Sequence, residues 1–243
     1  MRQIRGYIDT PLSAGATIAI DERLGHHLTR VLRLEADARV VLFNGDGNDY
    51  PSVLGGGRQR LAARVESCLP GTPASPLVLT LAQGLCRGEK MDLILQKATE
   101  LGVSAVQPLS TERSEVRLSG ERESKRVAHW RQVLISACEQ SGRSWVPELA
   151  SPIPMSHWIG APTLADSTRL MLDPTAELPI GQVPVTDKVV LAIGPEGGFS
   201  PKEREMLVRA GFVGARLGPR ILRTETAGLT AISILQALHG DLR

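Results

Sequence analysis

The stretch Leu69-Pro-Gly-Thr-Pro-Ala-Ser-Pro76 constrains this chain more than any other. Three prolines and a glycine in eight residues fix φ and remove backbone donors, so neither a helix nor a central strand can run through it. It reads as a linker, and whatever cores the chain builds must form on either side. A length of 243 residues suits two modest domains, and the seam divides them as 1–72 and 73–243.

Before the seam the signals are mainly β. Ala16–Ile20, Ala38–Phe43, Asn48–Leu54 and Leu61–Cys68 are short and rich in Val, Ile and Leu, and Asn44-Gly-Asp-Gly47 offers the left-handed residues of a hairpin turn. Pro51 inside such a strand is expected at an edge or a bulge. One helix interrupts them: Asp21 is a good N-cap, and Leu24, Leu28, Val31 and Leu32 recur at helical spacing. The opposite stripe, His26, Arg30 and Arg33, is basic. A small β-barrel is the expected architecture.

After the seam, strands and helices alternate, the pattern of a parallel sheet with flanking helices. Strands are expected at Leu77–Ala82, Val103–Leu109, Arg169–Leu172 and Lys188–Ile193, and helices at Gly88–Leu101, Glu121–Ser141, Ser200–Ala210 and Glu225–His239. Gly102 sits where a C-terminal glycine belongs, and Ser200-Pro-Lys-Glu203 is a capping box with proline at the first helical position. The fold class is α/β.

Composition excludes several classes. No run approaches the ~18 apolar residues of a membrane span. The opening Met-Arg-Gln-Ile-Arg-Gly lacks the apolar core of a secretory signal, so a cytoplasmic protein is expected. Three cysteines, Cys68, Cys86 and Cys138, are widely spaced and fit buried thiols, and the five histidines have no metal-ligand spacing, so no metal is expected. A net charge of +2 and eight aromatic residues leave any nucleic-acid binding to local patches.

Two segments carry chemistry. The apolar run Val189–Ile193 enters Gly194-Pro-Glu-Gly-Gly198 and then the capped helix. Ligands of open α/β sheets sit beyond the carboxyl ends of strands, where glycines admit close backbone approach. The segment is neither a P-loop nor a dinucleotide fingerprint, and a plain tight turn accounts for it equally well. The second segment, Leu217-Gly-Pro-Arg-Ile-Leu-Arg-Thr-Glu-Thr-Ala227, sets Arg220, Arg223 and Glu225 around apolar Ile221 and Leu222. That mixture points to charges held near a buried site, against the plainer alternative of a solvated loop with Glu225 complementing the helix dipole. With Arg169-Leu-Met-Leu-Asp-Pro174, three such loops can enclose a small ligand.

These residues resemble the bacterial 16S ribosomal RNA uridine-N3 methyltransferases, a branch of the SPOUT superfamily. Gly194–Gly198, Leu217–Ala227, Arg87-Gly-Glu-Lys-Met91, Gln96-Lys-Ala-Thr-Glu-Leu-Gly102, Cys138-Glu-Gln-Ser-Gly-Arg143 and His27-Leu-Thr-Arg-Val-Leu-Arg33 match in the family's order over nearly the whole chain. The family's Pro-Gly turn after the first helix reads Ala36-Asp37 here, and Asp tolerates turn conformations. The resemblance implies a PUA-like β-barrel followed by an α/β domain with a trefoil knot, a homodimer, S-adenosylmethionine as methyl donor, and uridine 1498 of 16S RNA, on the 30S subunit, as target.

By the same resemblance, Leu172, Gly194, Pro195, Glu196, Gly197, Gly198, Leu217, Gly218 and Leu222 hold the cofactor, and Arg220, Arg223 and Glu225 stand at the reacting centre. Glu225 is either the base or the orienter of an arginine, and a purely capping role stays open. RNA phosphates fall to Arg2, Arg5, His26, Arg30 and Arg33 in the barrel, and to Arg87, Lys90, Arg113 and Arg143 nearer the site. Each of these alone reads more readily as an ordinary surface charge, and the cluster on one face of the first helix is better evidence than any single member. Three other readings stay open from the residues: another SPOUT reaction on ribose or a different base, an assembly factor that binds cofactor without turnover, and a phosphate-binding hydrolase.

Overall fold

The computed structural model describes residues 3–56, 61–161 and 164–242. They pack as two compact units. One comprises the chain up to Ala74 together with Ile135–Val146, and the other comprises Ser75–Leu134 and Pro147–Arg243. Packing therefore does not follow a single cut at the seam, because one later segment joins the first unit.

The first unit is a six-stranded sheet. Strand β1 (Arg5–Tyr7) pairs parallel with β3 (Arg39–Phe43), which pairs antiparallel with β4 (Asn48–Gly55). The ladder continues through β5 (Ala62–Val65) to β2 (Thr17–Ala19), and the short β6 (Leu69–Pro70) pairs with Asn48 and Asp49. Strand β4 is interior, so the expected edge position of Pro51 is corrected. Its ring is tolerated because it lies just past the end of the β5 ladder, where its carbonyl accepts from the Glu66 N–H at 2.8 Å.

Helix α1 (Glu22–His26) starts on Asp21, whose carboxylate accepts from the Leu24 N–H at 2.8 Å. It then widens into a π-turn over His27–Val31. The wider turn rotates later positions off the expected stripe. Leu24 and Leu28 are fully buried among Ile8, Val40, Leu42 and Tyr50, whereas Val31 and Leu32 are exposed. Asp37 has φ of 64°, in the left-handed region that Asp tolerates.

Arg5 corrects another expectation. Its guanidinium is buried, forks onto both carboxylate oxygens of Asp49 at 2.7 and 2.8 Å, reaches Ser144 Oγ at 2.9 Å and lies 5.0 Å over the Phe43 ring. A guanidinium whose two terminal nitrogens are so engaged, and which is itself buried, holds the unit together and is not offered to phosphate; only its Nε lacks a partner. Ser144 also donates to Asp49. Burial works against the Asp49 charge, but Arg5 and Ser144 outweigh it and hold the carboxyl below its ordinary 3.8. Cys138 is buried beside Tyr7, Phe43 and Ile135, and burial pushes its thiol up to about 12; Cys68, against expectation, is exposed.

The second unit is a parallel α/β sheet of seven strands: β7 (Val78–Gly84), β8 (Ala105–Ser110), β9 (Glu148–Leu149), β10 (Ile153–Pro154), β11 (Thr168–Leu172), β12 (Lys188–Ile193) and β13 (Val213–Ala215). Their spatial order is β10-β8-β7-β12-β11-β13, with β9 on β8, every pair parallel. Helices α2 (Lys90–Glu100), α3 (Gly120–Ser141), α4 (Met155–Trp158), α5 (Pro201–Arg209) and α6 (Thr224–His239) complete the chain. The expected capping box opens α5, with Ser200 and Glu203 bonding reciprocally. Val189–Ile193 are buried throughout, as a strand covered on both faces must be. One apolar cluster joins Ala82, Met171, Val190 and Ala192 of the sheet to Trp158, Leu207 and Phe212. No described helix is long and apolar enough to cross a membrane.

Candidate functional site

Parallel strands send all their carboxyl ends to one edge of the sheet, so the loops after β7, β12, β11 and β13 gather there. The chain reverses after running β7 to β8, and β12 lies on the other side of β7. Such a switch of direction leaves a crevice above the strand ends. A cavity of about 600 Å³ occupies this position, within the range of small-molecule sites.

The loop after β12 forms one wall, with Gly194, Pro195, Glu196, Gly197 and Gly198 all lining the cavity. The glycines are required by geometry. A Cβ on Gly194 would stand 2.7 Å from Gly198 C and Phe199 N, and Gly198 has φ of 65°. Glu196, at the corner, accepts from Lys90 Nζ at 2.9 Å and from the Arg87 N–H at 3.1 Å. Partial burial opposes its charge, but these donors outweigh that and keep its carboxyl below the ordinary value. The opposite side of the loop is held by Arg113, which donates to Gly197 O at 2.8 Å.

Leu172 and Leu222 supply apolar wall, with Ile193 and Phe199 behind. Leu217, Gly218 and Arg220 line a smaller hollow of about 40 Å³ that shares Leu172, Asp173 and Leu222 with the main cavity. Arg223 is the N-cap of α6 and Glu225 lies in its first turn, both at the main cavity. Glu225 Oε2 is buried and has no hydrogen-bond partner. A carboxylate oxygen removed from water without a donor is costly, and it marks where a ligand donor fits. Ile221, expected to help bury the charges, is 85% exposed at the mouth; only Leu222 turns inward.

Of the residues expected to hold cofactor or stand at the reacting centre, Leu172, Gly194–Gly198, Leu222, Arg223 and Glu225 line the main cavity, and Leu217, Gly218 and Arg220 line the smaller hollow that shares part of its wall. The structure separates the RNA candidates. Lys90 and Arg113 line the cavity, while Arg87 pairs with Glu115. Arg143 lies in the segment that packs with the first unit and does not line the cavity. His26 and Arg30 line an open cleft of about 570 Å³ in that unit beside Asp21, Glu22 and Thr29, and Arg33 is exposed. Arg2 lies outside the described residues.

Asp173 belongs to a loop expected to enclose a ligand, but the sequence assigns it no role of its own; it accepts from Thr175 and pairs with Arg204 at 3.3 Å in the cavity wall. Burial opposes its charge, but Thr175 and Arg204 hold its carboxyl low. Its signal was the Asp-Pro that ends strand β11. Sequence reasoning missed the buried Gln83, signalled only by a polar residue closing an apolar strand. Among the described residues no group of three His, Cys, Asp or Glu is placed to hold a metal.

The cavity suits S-adenosylmethionine on its own features: apolar walls for an adenine, a glycine cradle offering backbone groups, and acids at Asp173, Glu196 and Glu225 to face positive charge. The family model described as "RNA methyltransferase domain" matches residues 73–236, and "RNA methyltransferase PUA domain" matches residues 20–66. The chain is 33% identical over 240 residues to Ribosomal RNA small subunit methyltransferase E of Buchnera aphidicola, covering 98% of this chain and 97% of that one. It is 32% identical to the protein of that name from Mycobacterium bovis, covering 96% and 90%. The crystal structure of a Ribosomal RNA small subunit methyltransferase E from Neisseria gonorrhoeae, bound to S-adenosyl methionine, superposes with a TM-score of 0.92 at 36% identity over the full length of both chains.

Proposed function

The chain belongs to the RNA methyltransferase family, alongside the ribosomal RNA small subunit methyltransferase E proteins, and on that footing we propose that it methylates N3 of one uridine of 16S ribosomal RNA, uridine 1498, using S-adenosylmethionine. The observation that carries the chemistry is the unpartnered Glu225 Oε2 in a cavity walled by the glycine loop and Ile221–Arg223, with Arg220 in the adjoining hollow.

In this reading Leu172, Gly194–Gly198, Leu217, Gly218 and Leu222 hold the cofactor. When bound, S-adenosylmethionine supplies a methyl group on a positively charged sulfur, an electrophile that needs no metal. Uracil N3 carries a proton at neutral pH and is a poor nucleophile until it is lost. Glu225 accepts that proton, and Arg220 and Arg223 stabilise the negative charge spread onto the base oxygens. The apolar walls exclude water from the exchange. N3 lies on the pairing edge, so the target base enters unpaired or extruded.

The reading extends to the whole protein. The first unit closes as a PUA-like barrel that binds RNA through His26, Arg30 and Arg33, with Lys90, Arg113, Arg87 and Arg143 as further contacts. The second carries a trefoil knot, and the active species is a cytoplasmic homodimer acting on the 30S subunit. The test is methyl transfer from labelled S-adenosylmethionine to unmethylated 30S subunits, naked 16S RNA and tRNA, with the modified nucleoside mapped by mass spectrometry. N3-methyluridine at one site in 30S is the expected result. Label on ribose or in tRNA overturns the substrate assignment, and bound cofactor without transfer to any RNA overturns the catalytic one.

A further inference from the structure

We propose that Gln83 is a positioning residue that sets the spacing between the glycine loop and the first turn of α6, and thereby between the methyl-donor and acceptor sides of the site. The inference rests on the functional reading above. Gln83 closes the apolar stretch of β7 and is fully buried. Its amide nitrogen lies 3.1 Å from Thr224 Oγ1, 3.1 Å from Gly84 O and 3.4 Å from Gly194 O. The Thr224 hydroxyl donates to Gly194 O at 2.7 Å. One side chain on β7 thus ties the first residue of the glycine loop to the first residue of α6. Arg223 and Glu225 flank the tie on either side of Thr224.

The chemistry of the contact is specific to an amide donor. Cys86 Sγ, at 3.6 Å, is a fourth neighbour of the amide nitrogen, and all four surrounding groups present lone pairs to Gln83, since the Thr224 proton is committed to Gly194 and the Cys86 proton to Gly84 O. Two N–H groups serve these acceptors. Turning the amide over would set its oxygen against the same four acceptors, so the hydrogen-bond network fixes its orientation. A glutamate carboxylate, acceptor-only when ionised, would meet the same repulsion. Gln83 Oε1 accepts from nothing, so every side-chain hydrogen bond of this residue is made by its nitrogen. The helix is seated closely here: a Cβ on Gly228 would approach Ile193 to 3.0 Å and Gln83 Oε1 to 3.8 Å. Misplacing reacting groups by about 1 Å costs on the order of 100-fold in rate.

The test uses the full-length chain with Q83M, which keeps volume and removes the donors, and T224V, which removes the hydroxyl at the far end of the tie. In the protein without cofactor, Q83M is expected to speed hydrogen exchange about tenfold at the amides of residues 196–199 and 224–227, leaving β3 and β4 unchanged. With labelled S-adenosylmethionine and RNA, kcat is expected to fall about 30-fold while cofactor Kd stays within about threefold. T224V should reproduce both changes, and the double variant should be no worse than the more affected single one. Local exchange unchanged in both variants, or kcat unchanged in an active enzyme, overturns the inference alone. A wild-type protein that methylates no RNA overturns the functional reading and the positioning role with it.

Discussion

Lys90 Nζ stands 2.9 Å from Glu196 Oε1, pinning the corner of the glycine loop to the first turn of α2. The Arg87 N–H reaches the same oxygen. The carboxylate therefore restrains the loop at the cavity wall, while Gln83 holds the loop's first residue through Gly194 O. Replacing Glu196 with glutamine keeps an acceptor for Arg87 and removes the attraction to Lys90. Its expected effect is a loss of about threefold to tenfold in S-adenosylmethionine affinity with little change in melting temperature, read by calorimetric titration.

The same pair fixes a pH window. Glu196 is held below its ordinary 4.5, so its contribution is present above that value and is lost as pH falls through the folded pKa. Lys90 is raised above its ordinary 10.5 by the Glu196 contact, so its contribution is complete below that value and disappears as pH rises through the folded pKa. Cofactor affinity should be flat between about pH 5 and 9 as far as this contact is concerned, and the E196Q variant should lose the acid limb. A wild-type limb that survives unchanged in E196Q assigns it to another group.

At the reacting centre, Glu225→Gln preserves size and first-turn position but cannot accept a proton. The expected outcome is a fall in kcat of about 10²–10⁴-fold with cofactor binding intact, measured by single-turnover methyl transfer. Arg223→Ala removes a charge without removing the N-cap backbone geometry, and should lower kcat by about 10²-fold. Full activity in E225Q would leave Glu225 as a helix-dipole partner only.

Arg5 predicts stability. Truncation to alanine removes two charged hydrogen bonds from the half-buried Asp49 carboxylate and should cost about 2 kcal/mol, seen in urea unfolding. Because the Asp49 carboxyl is depressed, its share of stability is present above its ordinary 3.8 and is lost as pH falls through the lower folded value. The R5A variant should show a weaker acid dependence, with the Ser144 contact to Asp49 left in place. Its RNA affinity per folded molecule should match wild type.

The sequence made the sheet legible because buried parallel strands are continuous apolar runs and because caps and glycines punctuate the helices. Val189–Ile193, the Ser200–Glu203 box and Gly102 sit where those rules put them. The loops carrying the site were legible for the same reason: they follow strands. What escaped depends on contacts distant in sequence. Nothing local to Arg5 announces Asp49 or Ser144, and nothing local to Gln83 announces Gly194 or Thr224. The outward turn of Val31 and Leu32 follows from one π-turn, which a 3.6-residue period cannot register.

That turn bears on RNA. With Val31 and Leu32 on the surface, Arg30 and Arg33 project from the same exposed stretch, and His26 and Arg30 line one cleft. Asp21 and Glu22 border this cleft, so its attraction for phosphate is local. If these side chains meet phosphates, each neutralised phosphate releases a counterion, and log K falls with log salt by about 0.7–0.9 for each contact. The double variant R30A/R33A should therefore weaken 16S RNA binding and flatten the salt slope by about 1.5, while S-adenosylmethionine affinity stays at the wild-type value. Filter binding from 50 to 300 mM salt, roughly the range over which such contacts are read, measures both quantities. An unchanged slope would remove this stretch from the RNA interface and turn the test to Lys90 and Arg113, at the cavity, and to Arg87 and Arg143.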